Sequence, residues 1–441
     1  MHSALTVVKN CSHLQRSLLQ TETLYLNEGC LGVNIDDKSD VLSLFYVDDL
    51  ILMAESKRDL NKKIAVLSKY CTLNQLEVNI GKTKIIIFNK GRRTKRHEFR
   101  YNNKQLEIVK TFQYLGVNFS KSGLFLEAAK KAVIKTNAAC GAVFRLFTNA
   151  KLHSWDSRMR LYESIVLSTL LYGAAVWSLR YVDRLEMCQL NFFKRLLSLG
   201  RTTPNFAVRL ESGICNLKVQ VAKLSIRWLC RLLEMDRTRL PRICYERLKK
   251  LDTCLLNKTE YNWVSQCKQF FVEYDFYHLW ESQDPTLIKR NLIGMLGMMS
   301  QKLREDLANC NRSQFSTIYS SLSNNFNTEA QPYLRLNLPI EIVRTIAQLR
   351  ASNKHFTVLN INRSKYTITP AKLCTICNLN QPEDLHHIFF VCPVYNGLRN
   401  KILLGDQNLI SLLRDNNKSK SFQIYTFLKN AMEIRSFIIN E

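Results

Sequence analysis

Two stretches of this sequence bring together residue types that could do chemistry. The first is LFYVDDLILMA, residues 44–54, in which the adjacent carboxylates Asp48 and Asp49 sit between two wholly apolar arms. The arms ask to be buried, while the carboxylates ask for water, a metal or a partner. A tight hairpin in a covered sheet, with both carboxylates at its tip, satisfies both demands. Hard cations such as Mg²⁺ want carboxylate oxygens, and a rigid tip can hold them beside phosphates. Phosphoryl transfer often uses two such ions about 4 Å apart. Taken alone, the pair also fits an ordinary turn, where Asp is at home.

The second stretch is Cys374-x2-Cys377-x9-His387-x4-Cys392. Three thiolates and an imidazole complete a tetrahedral Zn²⁺ site, and four protein ligands leave no open position, so zinc here is structural. The Cys-x-x-Cys pair reads as a knuckle turn. His387 and Cys392 are brought together by a short helix with a distorted end. The neighbouring His386 reads as a surface residue. Chance spacing is the competing explanation in a chain with 14 cysteines.

The elements that must position these residues follow from periodicity. Strands are expected over 41–47 and up to Ala54, with the tip at Asp48-Asp49, and a short strand over 31–35. Residues 1–30 are weakly patterned, with a helix over 12–28 whose apolar side is Leu14, Leu18, Leu19 and Leu24. Glu55-Ser56-Lys57 opens a helix with Leu60, Ile64, Leu67 and Tyr70 or Cys71 on one face. Val78 and Ile80 read as a short strand, Gly81-Lys82-Thr83 as a turn, and residues 85–88 and 112–116 as strands. From residue 124 the pattern is helical. Ser154 caps a helix over 155–179 and Asp183 one over 184–199, in which Leu185, Phe192, Phe193, Leu196 and Leu197 form a stripe. Residues 218–234 carry Leu224, Trp228 and Leu232 on one face and Lys223, Arg227 and Arg231 on another. Pro332, Pro339 and residues 351–370 read as a linker.

Composition narrows the partners. Lys and Arg total 63 against 37 for Asp and Glu, a net charge of +26 that calls for a polyanion. The longest uncharged stretch, residues 164–179, is short for a membrane span, so nucleic acid is the better partner than a membrane. Single cysteines scattered through apolar runs, such as Cys140, Cys188 and Cys230, and the lack of a secretory leader pattern, point to an intracellular protein.

With the motifs taken in order, FYVDDLILMAES resembles the Tyr/Phe-x-Asp-Asp motif that closes the palm active site of reverse transcriptases. Asn79-x-x-Lys82-Thr83-Lys84 resembles the next palm motif, and Phe112-x-Tyr114-Leu115-Gly116 the one that leads to the primer grip. LLYGAAVW (170–177), FFKRLLSLGRTTP (192–204) and VRLESGI (208–214) resemble the thumb region of non-LTR, LINE-type retrotransposon polyproteins. The zinc stretch, with Tyr395 and Arg399 following, fits that family's C-x-x-C…H-x4-C unit. Each motif alone is weak, and the order makes them strong. The resemblance covers residues 24–235 and resumes at 331–400.

It implies an α+β chain: a partial polymerase palm sheet of small antiparallel β with a helix, a mostly α-helical thumb and linker, and a small zinc-knuckle unit. The boundaries are an N-terminal remnant at 1–30, the C-terminal part of the palm at 31–122, the thumb at 123–250, a connector at 251–365, and the zinc unit with a helical tail at 366–441. It further implies RNA-directed DNA polymerase lineage, with Asp48 and Asp49 as Mg²⁺ ligands and catalytic residues, and Tyr46 and Lys82 near the incoming triphosphate. Tyr114, Gly116, Lys223, Arg227 and Arg231 would lie along RNA or DNA. Zn²⁺ would be held by Cys374, Cys377, His387 and Cys392 and would help the unit grip nucleic acid. By position alone, Lys82 and the Lys223/Arg227/Arg231 stripe read as solvated surface and Tyr114 and Gly116 as structural, while the basic run at 90–104 reads as a loop or a phosphate clamp, the +26 charge favouring the clamp. The family draws its first palm aspartate from well upstream. Of Glu22, Glu28, Asp36, Asp37 and Asp40, none sits in an apolar strand with that spacing. No fingers or endonuclease region is evident. The expected reading is a truncated reverse transcriptase portion that does not polymerise alone. The alternative is a non-catalytic nucleic-acid-binding remnant.

Overall fold

In the computed structural model, which describes residues 4–8, 18–88, 97–253, 261–310, 322, 329–353, 355–403, 408–414 and 417–440, the chain enters on a strand, β1 (Ala4–Val8). The helix expected over 12–28 is α1, Leu18–Asn27, and residues 12–17 lie outside the described residues. A bulged hairpin follows, β2 (Val33–Asp36) with β3 (Ser39–Val41). The aspartate arms then form β4 (Ser43–Tyr46) and β5 (Asp49–Ala54). Helix α2, Lys57–Leu73, begins where Ser56 caps the amide of Asp59 at 3.1 Å. Strand β6 (Lys84–Ile87) comes next.

These strands make one sheet in the order β4-β5-β1-β6-β9, where β9 is Glu107–Ile108. Strand β1 lies between β5 and β6, antiparallel to both. Nothing in residues 1–30 marks it, because five residues, Ala-Leu-Thr-Val-Val, are too short a run to show a period and no turn signal brackets them. Leu50, Ile51 and Leu52 are all buried, so β5 is covered on both faces. That explains its unbroken apolar run. Leu50, Leu52 and Ala54 share a core with Leu60, Ile64, Leu67 and Cys71 of α2, the face that periodicity assigns to the interior. Each such leucine contributes about 1.5–3 kcal/mol.

One cation ties this layer together. Lys63 of α2 is fully buried, donates to the carbonyls of Leu31 and Met53 (2.6 Å to the latter), and pairs with Asp59 at 2.9 Å. Asp59 in turn accepts from the amide of Leu31 at 3.0 Å. The helix is thus stapled to the end of β5 and to the segment that leads into β2.

Two short expectations change. Val78 and Ile80 are not in a strand; the amides of Lys82 and Thr83 fold back on the carbonyl of Asn79 and make a turn. Residues 112–116 are not one strand but half of a hairpin. After β7 (Arg100–Tyr101) and β8 (Lys104–Gln105), β10 (Thr111–Tyr114) pairs with β11 (Val117–Ser120) around Leu115-Gly116. Both turn residues have positive φ, 44° and 82°, the geometry of a two-residue hairpin turn.

The rest is largely helical, so the described chain is mixed α and β with small, mainly antiparallel sheets. It divides into two compact units, one of residues 1–132, 172–181 and 221–292, the other of 133–171, 182–220 and 293–441. Helix α3 spans Leu126–Asn149. Ser154 caps the next helix as expected, but the helix ends at Leu161, continues as a wide π turn over Tyr162–Leu167, and stops before Gly173, whose φ is +63°. In the second unit the helix Val182–Leu196 buries Phe192, Phe193 and Leu196 in one core with Tyr162 and Trp155, and Leu185 is buried as well. Part of the expected linker is a hairpin, β12 (Thr357–Ile361) with β13 (Ser364–Ile368), whose inner residues Leu359, Ile361 and Ile368 join the core beneath the zinc stretch. No helix among the described residues is long and apolar enough to cross a membrane.

Lys63→Met is expected to destabilise the chain by about 3–5 kcal/mol, because it leaves Asp59 and two carbonyls buried without their partner. Urea denaturation followed by circular dichroism measures it; a loss under about 1 kcal/mol would show that the ammonium is dispensable.

Candidate functional site

Tyr46 of β4 pairs with Asp49 of β5, so the turn residues are Val47 and Asp48. The tip is therefore one residue earlier than expected. Asp48 stands at the turn and Asp49 opens the strand, and both are partly buried. Val47 has φ +55° and is 59% exposed. A β-branched residue in the left-handed region is strained, and such strain gathers at active sites and switches.

The sheet register places Lys82 relative to the hairpin tip. Ile51 of β5 faces Val7 of β1, and Val7 faces Lys84 of β6. Asp49 and Lys82 lie two residues beyond those positions, so they share one end of the sheet. Two strand spacings separate them, about 10 Å. Lys82 is exposed in its turn, with its amide on the Asn79 side chain at 3.0 Å. Tyr114 lies close enough to the tip for Asp49 and Tyr46 to act on it: burial first, then these two groups, push its phenol up. Gly116 is packed for a reason of its own. A Cβ there would meet the Tyr172 ring at 2.6 Å, and the Tyr172 hydroxyl donates to the Leu115 carbonyl at 3.0 Å. The motifs FQYLG and LLYG thus meet in one contact.

Strand β1 lies directly beside the hairpin strand β5. Its residues are Ala-Leu-Thr-Val-Val, and the first acidic residue of the chain is Glu22. Two carboxylates fall short of the donor set for a two-ion Mg²⁺ site, and no catalytic step is derived through that metal.

On the helix Leu217–Glu234, Arg227 and Arg231 are exposed and Lys223 is half-buried. The buried face is Val221, Ala222, Ile226, Leu229 and Cys230, with Ser225 donating to the Ala175 carbonyl. The basic run 90–104 falls partly on residues 89–96, which lie outside the described residues.

The second constellation does come together. The ligand atoms of Cys374, Cys377, His387 and Cys392 all lie within 4.8 Å of one another. The Cys377 sulfur is 3.4 Å from Nε2 of His387. Tetrahedral zinc with bonds of about 2.0–2.3 Å spaces its ligands about 3.5–3.8 Å apart, so the set could hold zinc. The knuckle is closed by the Cys374 amide on the Gln381 carbonyl (2.8 Å) and the Glu383 amide on the Lys372 carbonyl (2.8 Å). Residues His387–Val391 form a π turn, closed by the Cys392 amide on the His387 carbonyl at 2.7 Å. A spacing of five residues is one π turn, which is how both ligands face the same point. Nδ1 of His387 is 3.4 Å from the Gln381 side-chain oxygen, leaving Nε2 to the thiols. His386 is exposed and lies beside Phe390.

Burial pushes the Cys374 and Cys392 thiols up, Cys392 to about 12, and holds His387 below its ordinary value. A metal cation would have to displace the thiol protons, since it binds thiolates, and it agrees with the lowered His387, since it binds neutral imidazole. Sequence reasoning missed the supports. Glu383 is gripped bidentately by Arg435 of the last helix at 2.6 and 2.8 Å. Tyr395 is buried, and its hydroxyl has no hydrogen-bond partner among the described residues. No local signal links Arg435 to Glu383 across that sequence distance.

No family profile matches the chain. It is 26% identical over 194 residues, 42% of its length, to a 115 kDa protein in the type-1 retrotransposable element R1DM of Drosophila melanogaster. It is 24% identical over 171 residues, 37% of its length, to the transposon-derived protein F52C9.6 of Caenorhabditis elegans. The matches span 19% and 59% of those proteins. These likenesses support a transposon origin.

Val47→Gly is expected to stabilise the chain by about 1 kcal/mol: relief of about 1–2 kcal/mol of left-handed strain outweighs the added chain entropy of glycine. Thermal melting of the two proteins checks it, and a lowered midpoint in the variant would refute the strain.

Proposed function

We propose that this chain is part of a non-LTR retrotransposon reverse transcriptase, and that by itself it binds RNA or DNA without copying it. In this reading residues 31–122 are palm, 123–250 thumb, 251–365 connector and 366–441 the zinc unit with its tail. The observation that carries it is the strained hairpin with Asp48 and Asp49 at its end, Tyr46 opposite, and Lys82 at the same end of the sheet. The transposon-derived relatives support the same lineage. In the complete polymerase a primer 3′-hydroxyl attacks the α-phosphate of a nucleotide and pyrophosphate leaves. Here β1 brings no acid to that site, so the palm keeps its shape and its tip carboxylates without the full metal set.

Binding draws on other residues. The +26 charge attracts phosphates over the whole surface. Arg227 and Arg231, exposed on one helix, would follow a phosphate backbone, with Lys223 beside them. Cys374, Cys377, His387 and Cys392 would hold one structural zinc, which would supply the cross-link that fixes the knuckle and the π turn as one body.

The purified chain is expected to contain about one zinc by elemental analysis and to lose it in Cys374→Ser. It should bind single-stranded RNA with an affinity that falls steeply with salt. Asp48→Ala should leave that affinity unchanged and Cys374→Ser should reduce it. Primer extension with Mg²⁺ or Mn²⁺ should give no product. Template-dependent product that disappears in Asp48→Ala would sink the non-copying reading, and salt-insensitive or absent RNA binding would sink the binding one.

A further inference from the structure

We propose that Arg399 is a positioning residue for the zinc centre: it clamps the π turn that carries His387 and Cys392, and its charge offsets that of the loaded site. This rests on the zinc reading above. The guanidinium donates through Nε to the Phe389 carbonyl at 2.7 Å and through Nη2 to the Cys392 carbonyl at 3.0 Å. One carbonyl lies inside the π turn and the other belongs to a ligand residue. A π turn is an unfavourable local winding, because each amide reaches one residue further than in an α-helix. Something must hold it, and a planar fork spanning two carbonyls does so with little further loss of freedom.

The charge argument is separate. Zn²⁺ with three thiolates and a neutral imidazole carries one net negative charge. Two arginines lie near it. Arg435 is spent on Glu383, a bidentate pair with both side chains largely buried. The acceptors of Arg399 are both neutral carbonyls, one of them on the ligand residue Cys392, so its positive charge sits beside the metal site without being spent on a carboxylate there. Outer groups of this kind tune a metal site nearly as strongly as its ligands do, typically by 10–100-fold in affinity.

The test uses the full chain and zinc itself. Zinc affinity is measured by competition with a chromogenic chelator for wild type, Arg399→Gln and Arg399→Lys. The same three proteins are loaded with Co²⁺ and their thiolate-to-cobalt bands recorded. Arg399→Gln, which loses the charge, should bind zinc about 10–100-fold more weakly, with shifted cobalt bands. Arg399→Lys keeps the charge without the fork; it should fall between the two in affinity and return the bands toward wild type. A role in folding alone would leave the bands of the loaded protein where they are. Should Arg399→Gln fail to fold, Arg399→Lys decides: zinc affinity equal to wild type overturns the clamp. If wild type binds no zinc, the zinc reading itself fails. If wild type binds it and Arg399→Gln binds it equally well, the Arg399 assignment alone fails.

Discussion

The palm-like layer depends on one constraint: a strand buried on both faces must end in carboxylates that are not. Strand β5 meets it by placing Leu50, Ile51 and Leu52 inside the sheet and stopping hydrogen bonding at Asp49. With both faces of that run apolar, burial alone tolerates a slip of one residue, so the register has to be held at the strand's ends. Lys63 then anchors the far end of the same strand through the Met53 carbonyl. A cation inside a core is costly unless its partners are complete, and here two carbonyls and Asp59 complete them. The tip is therefore held from behind, and its position owes little to the turn itself.

The parts of this arrangement that were legible in the sequence are those with a short period. The α2 face, the arms of the hairpin, the Ser56 and Ser154 caps and the Phe192-Phe193 stripe all follow from spacings of two to four residues. What was not legible depends on distant partners. Strand β1 becomes a strand only because β5 and β6 offer it unpaired edges. The hairpin at Leu115-Gly116 was read as a single strand because neither residue pair is a strong turn signal, and the Tyr172 ring that packs against it comes from far along the chain. The break before Gly173 could have been seen, since glycine was present, but the uncharged run around it suggested one buried helix.

The zinc stretch shows the opposite balance. Its four ligands were legible because metal chemistry restricts both residue type and spacing. The way they meet was legible in outline only: a distorted helix end turned out to be one π turn, closed by the Cys392 amide. The forces that hold the turn were invisible. Arg399, seven positions after Cys392, was legible as part of the family's pattern, but what it does there shows only in its two carbonyl acceptors.

Strain at the hairpin tip bears on how the two sites differ. Val47 keeps a left-handed backbone that glycine would adopt at no steric cost. Such strain gathers at functional sites and persists only where the surrounding structure holds it in place. The Cys/His stretch has an unfavourable winding of its own in the π turn, which Arg399 spans, while the Arg435–Glu383 pair ties the knuckle to the last helix. Under the proposal that the chain holds nucleic acid without copying it, the hairpin tip is the incomplete site and the Cys/His stretch the supported one. On this reading the hairpin marks descent from a polymerase, while the zinc unit and the positive charge carry what the chain does on its own.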